Sequence, residues 1–148
     1  MSERPRVLFV CTHNAARSQM AEALLRKYAG DRLEVASAGF EPTDVHPLTR
    51  EVLAEVGIDA RNLHAKGTRE FLGKVAVRHA IIVCARAEAE CPRIYPFAVE
   101  TLYWAFDDPA ELEGSPELQR AKFRRVRDEI DSRIQAWLRE PERTGGVR

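Results

Sequence analysis

The stretch that decides the fold is Cys11-Thr12-His13-Asn14-Ala15-Ala16-Arg17-Ser18. The residues before it, 6–10, form a short apolar run with β-branched members, which predicts a strand. The residues after it have helix-forming composition, with apolar side chains at helical spacing. Cys11 is therefore expected at the carboxyl end of a strand, where the chain turns into a helix.

This turn predicts an anion-binding site that carries a nucleophile. The first N–H groups of a helix are unpaired and lie at its positive dipole end, so they favour a bound anion. A helix N terminus and a nearby guanidinium both stabilise a thiolate, which is the nucleophilic form of cysteine. Arg17 can hold two oxygens of a tetrahedral oxyanion, and Ser18 can either cap the helix or donate to the Cys11 sulfur. The alternative is a small buried cysteine beside a surface arginine, and residue types alone leave both open.

Length and charge narrow the function classes. The chain has 148 residues, which suits one domain, with 23 basic and 23 acidic residues and a net charge of zero. There is no basic field for nucleic acid, and no apolar run long enough for a signal peptide or a membrane span. We therefore expect a cytoplasmic protein. In that reducing compartment its three cysteines are more typical of catalysis, redox chemistry or metal binding than of a structural disulfide.

Apolar runs alternate with helical patterns along the chain. Strands are predicted near 6–10, 33–37, 80–85 and 99–106, and helices near 17–29, 47–56 and 116–138. This order is typical of a single α/β domain, residues 1–148, with a parallel sheet and helices on both faces. The uninterrupted apolar run 80–85 predicts a central strand that is covered on both sides.

The last predicted helix has a cap, an apolar face and a charged face. Ser115 is the expected N-cap, and the charge run 120–127 is interpreted as a solvated surface. The tail 139–148 contains Pro and Gly-Gly without an apolar pattern and is expected to fray. The apolar face comprises Leu118, Phe123, Val126, Ile130, Ile134 and Trp137.

Three reactive side chains follow predicted strands. In an open parallel sheet, sites form outside the carboxyl ends of the strands, so Cys11, Cys84 and Asp108 are expected on one rim. Asp107 and Asp108 both precede Pro109, and either could be a general acid or a turn-forming residue. The residues alone do not decide between these two aspartates.

Cys84 and Cys91 are separated by six residues of strong helix propensity, which predict a short exposed helix. Seven helical steps place the two residues roughly 10 Å apart, whereas a disulfide needs α-carbons within about 7 Å. A bond between them would require this segment to unwind, which makes it a candidate redox switch. The alternatives are an ordinary core cysteine with an incidental second one, or a zinc site. Zinc is less favoured because its structural cysteine pairs have two to four intervening residues.

Residues 11–18 match the signature C-x5-R-S of the low-molecular-weight tyrosine phosphatase fold. With Gln19-Met20-Ala21-Glu22, the stretch resembles the thioredoxin-coupled arsenate reductases built on that fold. The resemblance covers about residues 6–138 and implies the strand order 2-1-3-4. Its further motifs are Ser37-Ala38-Gly39, Val56-Gly57-Ile58-Asp59, the Cys84 and Cys91 pair, Trp104-Ala105-Phe106-Asp107-Asp108-Pro109 and Arg125-Val126-Arg127-Asp128-Glu129-Ile130.

The resemblance also implies a mechanism and its partners. Cys11 attacks arsenate, and Asp108, the aspartate before the proline, protonates the departing oxygen. Cys84 then attacks the Cys11 sulfur and releases arsenite, after which Cys91 attacks Cys84. Thioredoxin, which receives its electrons from NADPH through thioredoxin reductase, reduces the resulting Cys84–Cys91 disulfide. A monomer without bound cofactor or metal is expected. The loop that binds the oxyanion comprises Thr12, His13, Asn14, Ala15, Ala16 and Arg17.

Two departures from the family generate expectations. His13 stands where many relatives have glycine, and we interpret it as a tolerated residue at a position of positive φ. Some relatives bind potassium with groups corresponding to Asn14, Glu22, Ser37 and an aspartate, whose position here reads Lys66. We predict that the Lys66 ammonium replaces that cation and orders Asn14 through Glu22 and Ser37.

Two other functions stay open at this stage. A tyrosine phosphatase would need only Cys11, Arg17 and Asp108, but Ala110-Glu111-Leu112 after the Asp-Pro turn offers no aromatic wall for its substrate. Weak activity on aryl phosphates is expected in any case. A redox-sensing or arsenic-sensing protein could signal through residues 84–91, although a sensor needs no general acid.

Overall fold

The computed structural model describes residues 4–85, 95–96, 98–111 and 113–140. Four parallel strands form one sheet in the order β2-β1-β3-β4, as predicted, so the expected α/β fold class is confirmed. The strands are β1 (Arg6–Cys11), β2 (Glu34–Gly39), β3 (Val77–Ile82) and β4 (Ala98–Tyr103). The α-helices are α1 (Arg17–Ala29), α2 (Pro47–Ala54) and α3 (Pro116–Arg139), with short 3-10 helices at Thr68–Glu70 and Pro109–Glu111.

Both faces of the sheet centre are covered. On one face, Trp104 packs between Phe9 and Trp137 of α3, with ring centroids 6.0 and 5.9 Å apart. His79 of β3 meets the same Trp137 edge-on at 5.2 Å. The side chains of the opposite face are fully buried as well, which confirms the prediction of a central strand covered on both sides: Leu8, Val10, Ala80 and Ile82.

The predicted strand bounds need correction in β3 and β4. The apolar run 80–85 placed β3 three residues too late, because the strand begins at Val77 and includes the polar residues Arg78 and His79. His79 is buried, and its ring nitrogen lies 2.7 Å from Glu100 of β4. This polar pair lies within the paired strands, although the residues before 80 were predicted to precede the strand. β4 ends at Tyr103 rather than at 106.

The register brings the strand ends to one rim. Cys11 is the Cα partner of Gly39 in β2, and Val10 is the partner of Ile82 in β3. Because the strands are parallel, the loops that follow β1, β2 and β3 leave the sheet at the same edge. This edge carries the candidate site.

Helix α3 starts as the sequence predicts. The Ser115 hydroxyl accepts the Leu118 N–H at 3.2 Å, and Pro116 occupies the first turn. Leu118 itself is 58% exposed, so its place on the predicted apolar face was wrong. Five helical residues turn the chain by about 500°, which puts Leu118 about 140° away from Phe123. The other predicted members of that face are buried: Phe123, Val126, Ile130, Ile134 and Trp137.

The charged face of α3 is not simply solvated. Arg127 is buried, and its guanidinium donates to the Val52 carbonyl at 2.9 Å and to Glu55 at 2.8 Å. Arg124 also pairs with Glu55, at 2.6 Å, and Arg120 pairs with Glu51. These arginines fasten α2 to α3, which corrects the interpretation of 120–127 as a surface run.

Parts of three sequence predictions lie outside the described residues. The segment 86–94 contains Cys91 and the expected short helix, and most of the tail, 141–148, is also outside. Helix α3 extends to Arg139, one residue beyond its predicted end. None of the helices in the described ranges is both long and apolar enough to span a membrane.

The pairing of α2 with α3 predicts a difference between two arginines of α3. We expect Arg127→Gln to lower the free energy of unfolding by about 1–3 kcal/mol, because the Val52 carbonyl loses its donor and Glu55 loses a partner. Arg125→Gln is the matched control. Its side chain is 52% exposed and pairs with Asp107 at the surface, so the change should stay below about 1 kcal/mol. Urea denaturation at pH 7 measures both, and equal effects would contradict the burial argument.

The stabilising contact between Glu55 and the arginines of α3 should weaken in acid. Hydrogen bonds from Arg124 and then Arg127 hold the pKa of Glu55 at about 2, below its usual 4.5. A carboxyl group with a lowered pKa contributes stability above its unfolded pKa and loses it as the pH falls. The gap between the wild type and Arg127→Gln should therefore narrow between pH 4.5 and pH 2 in denaturation curves. A constant gap across this range would show that Glu55 does not contribute.

Candidate active site

The Cys11 thiol lies at the end of β1 with two polar groups against it. The residue is only 3% exposed and is a free cysteine. Its sulfur lies 2.9 Å from the Ser18 hydroxyl and accepts the Asn14 main-chain N–H at 3.2 Å. Of the two roles open to Ser18, the structure therefore places its hydroxyl on the sulfur. The N-cap of α1 is Ala16, which has no side chain to bond the first N–H groups of the helix.

The loop between β1 and α1 turns its carbonyl groups outward. Each carbonyl from Cys11 to Ala15 accepts a hydrogen bond from a group outside that stretch. Because a trans peptide is planar, the N–H that follows each such carbonyl points to the opposite side. The N–H groups of residues 12–16 are thus turned away from these donors, an arrangement that suits an anion. The donors are Phe40 N, Glu41 N, Thr43 N, Gln19 Nε2 and His46 N, at 2.8–3.2 Å.

Arg17 is held from the β4 side of the site. The residue is 6% exposed, and its guanidinium donates to the Phe106 carbonyl at 3.0 Å. A second nitrogen lies 3.7 Å from Asp108. Asp108 also accepts the Ala110 N–H, which fixes the turn after β4. The Arg17 guanidinium and the Asp108 carboxylate therefore lie together beside the segment that follows β4.

The two aspartates of the Asp-Asp-Pro turn have different surroundings. Asp107 points toward α3, where Lys122 lies at 3.3 Å and Arg125 at 3.1 Å, and its side chain is 67% exposed. Asp108 instead faces Arg17 with a side chain that is 21% exposed. Geometry thus separates the pair that residue types could not, and the aspartate near the thiol loop is Asp108.

Asn14 rather than His13 adopts the unusual backbone conformation of the loop. The φ angle of Asn14 is 56°, whereas His13 is not among the described residues with positive φ. The interpretation of His13 as a positive-φ residue was therefore wrong. Asparagine tolerates this region because its short side chain bonds locally. His13 is exposed, and its ring nitrogen lies 3.1 Å from the Glu41 carbonyl.

The Asn14 side chain links four segments of the chain. Its amide nitrogen donates to Ser18 at 2.8 Å and to Ser37 at 2.9 Å. Its oxygen accepts the Lys66 main-chain N–H at 2.8 Å and the Gln19 amide at 2.9 Å. The loop conformation is therefore fixed by contacts from α1, β2 and the segment before Gly67.

Glu22 is a buried carboxylate with two cationic partners. It is 4% exposed and accepts the Ser37 hydroxyl at 2.6 Å. The Lys66 ammonium lies 3.3 Å from one oxygen, and Arg26 lies 2.6 Å from the other. The sequence analysis named Lys66 but missed Arg26, whose signal was its position four residues after Glu22 on one helix face.

Gly39 allows β2 to approach the loop. A Cβ at this position would lie 2.6 Å from the Thr12 carbonyl oxygen and 2.9 Å from the Asn14 nitrogen. The residue faces Cys11 in the β1–β2 register, so the contact follows from strand pairing. Sequence reasoning quoted Gly39 in a motif without a role, because the close approach arises only in the folded sheet.

Cys84 follows β3 at the same rim. It is fully buried, and Val83 before it donates to the Val10 carbonyl at 3.0 Å, next to Cys11. Cys84 is disulfide-bonded, in contrast to the free thiol of Cys11. Within the described ranges, no three His, Cys, Asp or Glu side chains are grouped to hold a metal ion.

Known proteins are similar to this chain in sequence and in fold. Residues 6–145 match the family described as low molecular weight phosphotyrosine protein phosphatase. A Halalkalibacterium halodurans protein named arsenate reductase is 40% identical over 134 residues, 88% of this chain and 93% of that one. The thioredoxin-dependent arsenate reductase of Corynebacterium glutamicum superposes with a TM-score of 0.63 and 34% identity; the match covers 92% of this chain and 61% of that one. An arsenate reductase of Archaeoglobus fulgidus superposes with a TM-score of 0.71 and 30% identity; the match covers 88% of this chain and 97% of that one.

The close approach at Gly39 predicts a strong effect of one methyl group. We expect Gly39→Ala to weaken binding of inorganic phosphate roughly tenfold to hundredfold, because the loop must move away from the new Cβ. Gly67→Ala is the matched control, since its Cβ would meet nothing closer than 3.6 Å. Isothermal titration calorimetry measures both variants. Equal affinity in Gly39→Ala and the wild type would mean that the loop adapts without loss.

Lys66 predicts how the loop responds to monovalent cations. With its ammonium against Glu22, the wild type should bind phosphate equally in potassium and in sodium, within about twofold. Lys66→Met should weaken binding about threefold to tenfold, because Glu22 keeps only Arg26 and the Ser37–Asn14 chain loosens. Lys74→Met, at an exposed lysine, is the control. A several-fold gain of the wild type in potassium would contradict this role.

Proposed function

This chain belongs to the low molecular weight phosphotyrosine protein phosphatase family, and from that premise we propose that it reduces arsenate to arsenite. The reaction uses a relay of three cysteines, Cys11, Cys84 and Cys91, and thioredoxin restores the thiols. The observation that carries the proposal is the loop of outward carbonyls around a free Cys11 thiol, with Arg17 beside it. The names of the similar proteins support arsenate as the oxyanion.

In the first step, Cys11 forms a bond to arsenic. The thiolate attacks arsenate, which is held by the loop N–H groups and the Arg17 guanidinium. One oxygen leaves as water after Asp108 donates a proton to it. Asp108 lies 3.7 Å from Arg17, so the incoming anion and this carboxyl group share the same guanidinium. The Ser18 hydroxyl and the Asn14 N–H contact the Cys11 sulfur and hold it in place for attack.

In the second step, Cys84 resolves the intermediate. Its thiolate attacks the Cys11 sulfur; the sulfur–sulfur bond forms, the sulfur–arsenic bond breaks, and the electron pair stays on arsenic as arsenite. The position of Cys84 on the rim next to β1 supports this exchange. Cys91 then attacks Cys84 and releases Cys11 as a thiolate. The free Cys11 thiol and the disulfide-bonded Cys84 support this order of exchange.

The cycle also sets the expected partners and location. Two electrons leave the thiols per arsenate, so no bound cofactor or metal is needed and NADPH acts only through thioredoxin reductase. A relay that is reset by thioredoxin requires a reducing compartment, and we therefore propose a cytoplasmic protein. It is expected to work as a monomer, because every residue of the relay comes from one chain.

A tyrosine phosphatase activity is the second candidate. The observation that favours it is the 3.7 Å contact of Arg17 with Asp108, since Arg17 ends the loop that begins at Cys11 and phosphoryl transfer to a thiol needs only these three groups. The 3-10 helix Pro109–Glu111 after Asp108 presents no aromatic side chain to hold a tyrosine ring. We therefore expect slow hydrolysis of aryl phosphates beside the main reaction. A sensing role has less support because a sensor would need no general acid, and this chain has Asp108 in contact with Arg17.

The decisive experiment counts thiols and product. Fully reduced protein is mixed with arsenate without reductant, and arsenite and free thiols are measured per chain. We expect one arsenite while the thiols fall from three to one, and repeated turnover once thioredoxin, its reductase and NADPH are added. No arsenite with three intact thiols would favour the phosphatase instead.

Cysteine variants separate the steps of the relay. Cys11→Ser should abolish both arsenate reduction and aryl phosphate hydrolysis. Cys84→Ser should stop arsenite release and spare the hydrolysis, which needs no second thiol. Cys91→Ser should release one arsenite without thioredoxin-driven turnover. Normal arsenate turnover by Cys84→Ser would show that the relay is wrong.

A further inference from the structure

Helix α2 and its N-cap residue both reach the Ala15 carbonyl of the anion-binding loop. The hydroxyl of Thr49 donates to the Ala15 oxygen at 2.9 Å, and the main-chain N–H of His46 reaches the same oxygen at 3.0 Å. Thr49 is fully buried. A buried hydroxyl that donates to a loop carbonyl is a directional contact, whereas an apolar side chain there would only fill space.

The direction of this carbonyl decides where the next N–H points. The peptide between Ala15 and Ala16 is planar, so a carbonyl held toward α2 places the Ala16 N–H on the opposite side. Ala16 is the N-cap of α1 and has no capping side chain, and its N–H belongs to the group that an anion would meet there. Two donors on one oxygen restrict the tilt of this peptide more than one donor can.

Thr49 lies on helix α2, which is held by hydrogen bonds at both of its ends. The His46 ring caps α2 by accepting the Leu48 N–H at 3.0 Å. Farther along, the Val52 carbonyl and Glu55 accept hydrogen bonds from Arg127 of α3. The hydroxyl therefore has little freedom to follow the loop if the peptide rotates.

We propose that Thr49 is a positioning residue that sets oxyanion affinity by holding the Ala15–Ala16 peptide. The proposal rests on the proposed function only in that the loop binds a tetrahedral oxyanion. Thr49 does not touch the substrate. It acts through the Ala15 carbonyl, and the ligand class is arsenate or phosphate in the Cys11 loop.

The test compares variants that keep or remove the hydroxyl. Thr49→Val retains the shape and loses the donor, and Thr49→Ser retains the donor. We expect Thr49→Val to raise the dissociation constant of inorganic phosphate about threefold to tenfold, the effect of roughly one net hydrogen bond. Thr49→Ser should stay within about twofold of the wild type. Isothermal titration calorimetry on the full chain measures all three.

Kinetics distinguish positioning from simple packing. In the thioredoxin-coupled assay, KM for arsenate should rise in Thr49→Val while arsenite release at saturating arsenate changes little, because Cys84 attack does not involve this peptide. If the hydroxyl had only a structural role, its removal would lower the urea midpoint and leave the phosphate affinity unchanged. If Thr49→Val does not fold, Thr49→Ala removes the same donor and leaves more room.

The outcomes separate this proposal from the function on which it rests. Phosphate affinity in Thr49→Val within about twofold of the wild type would overturn the role of Thr49 alone. A wild-type protein that binds neither phosphate nor arsenate would overturn both proposals. A loss of affinity that Thr49→Ser restores would support the positioning role, since the serine differs from valine in carrying the donor.

Discussion

The buried side chain of Asn14 makes four hydrogen bonds, to Ser18, Ser37, Gln19 and the main-chain N–H of Lys66. These bonds use both hydrogens and the oxygen of one amide, so no polar group of the side chain is left to solvate. They also hold a backbone at φ 56°, a conformation that costs a non-glycine residue about 1 kcal/mol or more. The loop around Cys11 depends on this amide, because it joins β1, α1, β2 and the segment at 64–66.

The charges of the site are divided between binding and structure. The net charge of the chain is zero, so no long-range field can attract an anion, and local groups must hold it. Arg17 lies 3.7 Å from Asp108, and in the proposed reaction the oxyanion takes the place of this contact. Glu22 is instead neutralised by Lys66 and Arg26 at 3.3 and 2.6 Å, so a second cationic centre beneath the loop does not compete for the substrate.

The sequence predicts the features that depend on local pattern. The bounds of α1, 17–29, follow from composition, and the strand order follows from the family motifs. Prediction from the sequence fails where tertiary contacts determine the strand bounds or the burial of a side chain. The early residues of β3 are polar because His79 pairs across strands with Glu100, and Arg127 is buried only because α2 lies beside it. No pattern within one segment could report the approach of Gly39 to the loop.

Fixed carbonyls support the proposal that this short loop binds a tetrahedral oxyanion. In a loop without these contacts, the N–H groups of residues 12–16 would have to be oriented when the anion binds, and the loss of conformational freedom would weaken the complex. Here each preceding carbonyl already has a donor, supplied by the chain after β2, by Gln19 and by α2. The orientation is thus completed during folding, and the packing of α2 on α3 supports it. If Thr49 has the role proposed above, Arg127 acts on the site indirectly, because it holds the helix that carries the Thr49 hydroxyl.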